Sequence, residues 1–425
     1  MAGNGPRVVM LTPDQEQIDR RILLQAESLM VAGSQVWILG LSSLQEAQGL
    51  PSGVDLIRVS AATARLSAVV SILRQSYRRL RARAALTPAL MLARRVFESV
   101  WVHPERPFTQ CFLEPALQLG ADVYVAHDLP VLPTAVEAAK RIGAKVVYDA
   151  HELYPDQEFA RLLRRRWRTV ERLYIHCADA VTTVNPAIAA VLAARYGIAQ
   201  PLVLYNCPPR YPHLESKPRI FHDTWRLPPS ARIVLYQGGL TPHRNLDGLV
   251  RALAYVQNRE VIAVFLGDGP ERERLVRLVR RLGMTNRVYF HPAVPQSHLL
   301  HYTASADLGI IPYLTTSKNT WLCTPNKLFE FLQAEVPILA HDLPELRRII
   351  TGEEIGRIAM LSSPQALAAA VDELFAGSDP GRCYQQAVRQ AKERYCWEHE
   401  ERKLLALYRK FAAIPAQGAM GQVVG

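Results

Sequence analysis

The strongest constraint on what this chain can fold into is a rhythm. Short apolar runs rich in β-branched residues alternate with segments whose apolar residues recur at helical spacing. Val8 to Leu11 leads into Asp19 to Val31, closed by Gly33, and then into Val36 to Leu39, a β-α-β opening. The alternation resumes with Val123 to Ala126, a helix over Val131 to Ile142, and Lys145 to Tyr148. Asp179 to Val184, a helix from Pro186 to Tyr196, and Val203 to Asn206 follow. From Cys207 to Pro229 the rhythm stops in a proline-rich stretch that reads as a linker. It restarts at Ile233 to Tyr236, with a helix from Leu246 to Val256, strands at Val261 to Leu266, Arg287 to Phe290, Leu308 to Pro312 and Pro337 to Ala340, and helices over Pro364 to Phe375 and Gln385 to Phe411. Two α/β halves joined by a linker fit this better than one large sheet. A length of 425 residues at 49% hydrophobic content agrees with two domains.

Lysine plus arginine number 50 against 39 aspartates and glutamates, a net charge of +11 that favours anionic partners. The surplus is concentrated. Arg65 to Trp101 and Arg161 to Tyr174 each interleave arginines with leucine, valine and tryptophan, which reads either as contact with an anionic membrane surface or as solvated arginine-rich helices packed on a sheet. No nucleic-acid module accompanies the charge, so nucleic acid is not expected as a partner. The six cysteines show no C-x-x-C pair and no metal-ligand spacing, which suits a reducing compartment without structural zinc. No apolar run nears the roughly 18 residues that would span a bilayer, and the N-terminus shows no signal pattern. A cytoplasmic location is expected, with the inner face of the cytoplasmic membrane as the site of any peripheral contact.

Candidate chemistry collects at strand ends, where open α/β sheets bind ligands. The first loop, Thr12 to Arg21, carries Asp19 and Arg20 but lacks the G-x-G-x-x-G of a dinucleotide site. Two later strands end in His127-Asp128 and in Asp149-Ala150-His151-Glu152, acid–imidazole pairs able to converge on one crevice or to serve as caps. In the second half, Cys323-Thr324-Pro325-Asn326-Lys327-Leu328-Phe329-Glu330 reads as a helix start with Thr324 as N-cap and Pro325 in the first turn. Lys327 and Glu330 then share one side of that helix. A lysine beside the free N–H groups of a first turn opposes the helix dipole by a few tenths of a kcal/mol unless an anion such as phosphate binds there. A carboxylate one turn on suits a vicinal diol such as a ribose. The alternative is an amphipathic helix with solvated charges.

Taken in order, Tyr236-Gln237-Gly238-Gly239-Leu240, Arg244-Asn245, Leu266-Gly267-Asp268-Gly269-Pro270, Phe290-His291-Pro292-Ala293-Val294, Ala306 to Pro312 and Pro325 to Glu330 resemble the family 4 glycosyltransferases, in the subgroup with a Pro-Asn-Lys-Leu-Phe-Glu segment. Asp19-Arg20-Arg21-Ile22, His127-Asp128 and Tyr148 to Glu152 extend the resemblance to the first half, leaving Ser60 to Leu117 unmatched. It implies the GT-B architecture, two facing Rossmann-like doubly wound domains with a C-terminal helix crossing back to the first. The expected division is an acceptor-side domain over 1–206 with a basic helical insert at 60–117, a linker at 207–229, and a nucleotide-sugar domain over 230–380. Returning helices at 381–414 and a disordered tail at 415–425 complete it.

The resemblance also implies roles. Gly238, Gly239, Arg244, Gly267, Val294, Asn326, Lys327, Leu328 and Glu330 would hold the donor, with Arg244 and Lys327 on the diphosphate and Glu330 on the ribose. His151 and Asp128 would lie near the transferred sugar, and Asp19, Arg20, His127 and Glu152 on the acceptor side. The expected activity is retaining, metal-independent transfer of a hexosyl or N-acetylhexosaminyl group from a nucleotide diphosphate sugar, without cofactor, to a glycan or lipid-linked acceptor in bacterial surface polysaccharide assembly. Fixed cations suit this chemistry, because charge develops on the departing diphosphate. Two positions depart from the family pattern. The first glutamate of the E-x7-E pair is Leu322, with Asn319, Cys323 or Thr324 as substitutes, and the usual arginine before the phosphate-binding lysine falls at Gly239, with Arg244 in the lysine position. A non-catalytic GT-B subunit that binds a partner glycosyltransferase is the alternative these departures support.

Overall fold

The computed structural model describes residues 5–14, 17–42, 49–59, 103–376 and 380–412. Most of the arginine-rich insert, 60–102, and the expected tail from 415 lie outside the described residues.

Two all-parallel sheets organise the chain. The first holds β1 (Arg7–Leu11), β2 (Gln35–Leu41), β3 (Asp55–Val59), β4 (Val123–His127), β5 (Lys145–Ala150), β6 (Ala180–Thr183) and β7 (Leu202–Val203), in the order β3-β2-β1-β4-β5-β6-β7. The second holds β8 (Arg232–Gln237), β9 (Val261–Leu266), β10 (Val288–His291), β11 (Leu308–Ile311), β12 (Ile338–His341) and β13 (Gly356–Ala359), in the order β10-β9-β8-β11-β12-β13. Central strands are apolar because helices cover both faces, and Val8 to Leu11 and Val261 to Leu266 are buried throughout. Strand order reverses between β1 and β4 and again between β8 and β11. These are the two places where such sheets open a crevice at their carboxyl ends.

Four helices matter below: α1 (Arg20–Val31), α2 (Arg161–Tyr174), α3 (Asn326–Gln333) and α4 (Trp397–Ala412). In α1, Asp19 caps the first turn by accepting from the Arg21 backbone N–H at 2.9 Å. α3 lies on β11, its Phe331 ring over Gly309, where a Cβ would come within 2.5 Å of the ring. Only glycine lets that helix sit so close. Phe329 and Phe331 are both fully buried, each contributing roughly 1.5–3 kcal/mol through apolar burial. α4 returns to the first sheet: Trp397, Leu404 and Tyr408 join the cluster formed by β1 and α1, and the Trp397 indole N–H donates to Ser28 Oγ at 3.0 Å.

Several boundaries differ from the sequence reading. α3 begins at Asn326 with Pro325, in extended conformation, at its N-cap. Thr324 cannot cap it, because its hydroxyl faces the Asn185 amide at 3.4 Å instead. The proline-rich stretch carries a helix, Ile220–Trp225, whose Phe221 is buried in the second core. Helices at Arg272–Arg281 and Gln296–Thr303 were not anticipated.

Candidate functional site

The carboxyl ends of β8 and β11 and the first turn of α3 bring two cations together. Lys327 is 6% exposed, and its Nζ donates to the Tyr313 hydroxyl at 2.8 Å while lying 3.9 Å from the centre of the Tyr236 ring. Arg244 stacks on the same Tyr313, its guanidinium carbon 4.1 Å from the ring centre. Burial disfavours the lysine's charge, but Tyr236 and Tyr313 leave its pKa above the ordinary value. Among the described residues neither cation has a carboxylate partner within ion-pair distance. Ring faces and a hydroxyl stabilise each cation by about 0.5–2 kcal/mol, less than a buried carboxylate would.

Glycines open the space in front of these cations. Gly238 has φ of +104°, and a Cβ on it would lie 3.4 Å from Lys327 Nζ. Gly267 packs its backbone against Gly238, where a Cβ would fall 2.2 Å from the carbonyl oxygen. Gly239 is exposed, and its carbonyl accepts from the Tyr236 hydroxyl at 2.9 Å. One turn along α3, Glu330 is 7% exposed; its Oε2 accepts from Gln237 Nε2 at 2.7 Å and its Oε1 from Arg20 Nη1 at 3.1 Å. Thr303 fixes the Gln237 amide through a 2.8 Å bond. Lys327 and Glu330 are therefore buried, and the solvated amphipathic reading fails. Asn326 meets Asn206 at 2.9 Å, Leu328 is wholly in the core, and Val294 is half-buried at the edge of the second cluster.

The first sheet builds a different cluster. Asp149, 1% exposed, is its hub: it accepts from Gln25 at 2.8 Å and Thr182 at 2.7 Å, and lies 3.1 Å from His127 Nδ1 and 3.0 Å from His151 Nε2. Asp128 has φ 69° and ψ 163°, a region nearly restricted to glycine that costs on the order of 1–3 kcal/mol. That backbone turns its carboxylate onto His151, accepting from the backbone N–H at 3.1 Å and lying 3.3 Å from Nδ1. Burial and Arg21 push His151 down, yet Asp128 and Asp149 together raise it to about 10, so it is an imidazolium at neutral pH. Burial lowers His127, which stays neutral. The spacing of His127, Asp149 and His151 would suit a small cation. Ring N–H groups converging on Asp149 already account for it.

Glu152 takes the Asn319 amide at 2.6 Å and the Gln157 amide on its other oxygen. Burial, then Asp128, pushes its carboxyl up to about 7. Asn319 also accepts from the Leu153 N–H at 3.0 Å, so it bridges the two halves. Leu322 packs into the first core and its carbonyl accepts from Asn185 at 2.8 Å. Burial raises the Cys323 thiol to about 11, leaving it neutral. None of Asn319, Cys323 and Thr324 thus supplies a carboxylate in place of the missing glutamate; Glu152 from the other half is a carboxylate bonded directly to Asn319. Asp19 is occupied as a cap and as the ion-pair partner of Arg21 at 3.2 Å. Arg20 lies on the Glu330 side of the cleft rather than with the first-sheet cluster. Asp149 and Arg21 complete the cluster; Asp149 belongs to the acid–imidazole run at the end of β5 and sits opposite His127 in the β4–β5 register.

The glycosyl transferase 4-like domain model matches residues 1–207, and the group 1 glycosyl transferase model matches residues 231–377. A D-inositol 3-phosphate glycosyltransferase from Mycolicibacterium gilvum is 28% identical over 193 residues, 43% of this chain and 40% of its own length. The match thus spans less than half of that relative. Among solved structures, sucrose-phosphate synthase from Thermosynechococcus elongatus superposes with a TM-score of 0.72 at 18% identity, covering 96% of this chain and 100% of that one. Anabaena HepE in complex with UDP-glucose superposes with a TM-score of 0.70 at 14% identity, covering 95% and 100%. The shared fold is GT-B.

Proposed function

The chain belongs to the group 1, family 4-like glycosyl transferases, and from that premise we propose that it transfers a sugar from a nucleotide diphosphate sugar to a glycan or lipid-linked acceptor. The observation that carries this reading is the pair Lys327 and Arg244, held on Tyr313 with no carboxylate partner among the described residues, with Glu330 one helical turn from Lys327. A diphosphate neutralises the two cations while a ribose diol uses the carboxylate. The UDP-glucose bound to Anabaena HepE supports a donor of this class.

Breaking the bond between the anomeric carbon and the leaving phosphate oxygen places negative charge on the diphosphate. Lys327, Arg244 and the backbone N–H of Gly239 are fixed beforehand where that charge grows, whereas the Gly238 N–H is committed to the Leu266 carbonyl at 2.9 Å; the free groups stabilise the transition state more than the bound ground state. They supply what a divalent ion would otherwise provide, which makes the transfer metal-independent. Both ring N–H groups of the His151 imidazolium are taken by Asp128 and Asp149, so it offers the transferred hexosyl or N-acetylhexosaminyl group a fixed positive charge rather than a free donor. In a same-face, retaining reaction the departing phosphate oxygen accepts the acceptor's proton, so no protein base is required. No described helix is long and apolar enough to cross a membrane. The exposed arginines Arg161, Arg165, Arg168 and Arg172 form one stripe of α2, and they support contact with an anionic membrane that would present a lipid-linked acceptor for surface polysaccharide assembly.

A panel of nucleotide diphosphate sugars tests the reading by donor turnover and by product analysis with EDTA present. Sugar release or transfer that Lys327→Met abolishes supports it. Absence of turnover with every donor, alongside tight nucleotide binding, points to the non-catalytic subunit, the reading favoured by Leu322 being committed to the interface between halves.

A further inference from the structure

Both oxygens of Glu330 are already taken. Gln237 holds one and is itself fixed by Thr303, whereas the other is held by Arg20, the first residue of α1, reaching over from the opposite half. A ribose diol at Glu330 needs acceptor capacity there, and the long, singly tethered arginine is the partner able to yield it. Its guanidinium is also poorly satisfied: Nε and Nη2 are buried without a hydrogen-bond partner while Nη1 alone is bonded. Leaving buried donors unmade is costly, and acceptor oxygens nearby would relieve that cost. Such oxygens would be close. Lys327 and Glu330 are three residues apart on α3, so their side chains start roughly 5–6 Å from each other, and a diphosphate attached to a ribose at Glu330 must pass within reach of the released guanidinium. The side chain missing at Gly239 leaves room for a cation from elsewhere.

We propose that Arg20 is a donor-binding residue contributed by the first half of the molecule, which occupies Glu330 until the ribose arrives and then turns to the diphosphate. The proposal rests on the donor reading above. It makes Arg20 a competitor of the nucleoside part and an ally of the phosphate part of one ligand. In the empty protein the Arg20–Glu330 pair ties the two halves together across the cleft, so donor binding exchanges a protein–protein ion pair for a protein–ligand one.

Calorimetric titration separates the two roles. Wild type, Arg20→Ala and Arg20→Gln are titrated with a set of nucleosides and with the matching nucleoside diphosphates, and the base that wild type binds is used for comparison. The expected result has opposite signs: both variants bind the nucleoside about three- to tenfold tighter and the nucleoside diphosphate about tenfold weaker. Arg20→Lys should restore most of the diphosphate affinity. A change in the same direction for both ligands, or no change for either, overturns the proposal, provided ligand-free melting shows both variants folded; if one variant is unfolded, the other decides. Wild type binding none of the nucleoside diphosphates would instead sink the donor reading and this proposal with it.

Discussion

The two switch points of this molecule hold comparable numbers of cations and treat them in opposite ways. At the β1/β4 crevice every cation is answered: Arg21 by Asp19, and His151 by Asp128 and Asp149. At the β8/β11 crevice Lys327 and Arg244 share the Tyr313 ring, and among the described residues no carboxylate answers either. A self-neutralised cluster orients groups and needs no ligand to be stable. An unanswered pair of cations, Lys327 buried and Arg244 half-buried, carries a standing electrostatic cost that an anion removes. The first crevice thus reads as a positioning site for neutral sugar hydroxyls, and the second as a seat for a diphosphate.

The largest effect that would sharpen this contrast is on catalysis. Lys327→Met removes one unanswered charge while keeping an apolar stem, and donor turnover should fall by about 10²–10³-fold. Its ligand-free melting temperature should hold or rise, because burying a charge without a partner is unfavourable. Asp149→Asn is the mirror experiment. It leaves the His151 imidazolium with one carboxylate fewer and should cost about 3 kcal/mol in denaturant unfolding. If Lys327→Met destabilised the protein as much as Asp149→Asn does, the two clusters would not differ as described.

A smaller effect separates the clusters by pH. Glu152 is raised to about 7 from a carboxylate's ordinary 4.5, so between those values the folded state binds more protons than the unfolded chain. His151, raised to about 10 from 6.5, does the same over the next window. Both contributions are fully present at low pH, and stability should therefore decline from about pH 5 to pH 10, opposed below the ordinary histidine value of 6.5 by His127, which burial holds lower than that. Melting temperatures across this range check it, and Glu152→Gln should flatten the slope between pH 5 and 7 while leaving the upper window. The smallest effect expected is on membrane contact. Neutralising Arg161, Arg165 and Arg172 should reduce sedimentation with anionic vesicles by a few-fold and leave recovery in neutral vesicles unchanged.

How much of this was legible in the sequence follows from the range of each interaction. The helices Pro186–Tyr196 and Pro364–Phe375 could be read to the residue, since proline starts and apolar periodicity are local signals. The cation and carboxylate of α3 were visible as residue types at a spacing of three. Their burial was not, because it depends on Gly309 and on the opposing half. Arg20 meets Glu330 across 310 positions of chain, and Leu322 enters a core built by other segments. No local pattern carries such information. Asp149 is legible as part of the acid–imidazole run Asp149 to Glu152, whereas its place opposite His127 depends on the β4–β5 register.

The central claim, that Lys327 and Arg244 await a diphosphate, is tested most directly by the affinity gap between a nucleoside and its diphosphate, measured by calorimetry for wild type and Lys327→Met. Wild type should bind the diphosphate about 100-fold tighter than the nucleoside, and Lys327→Met should remove most of that gap without changing nucleoside affinity. An unchanged gap in Lys327→Met would contradict the account.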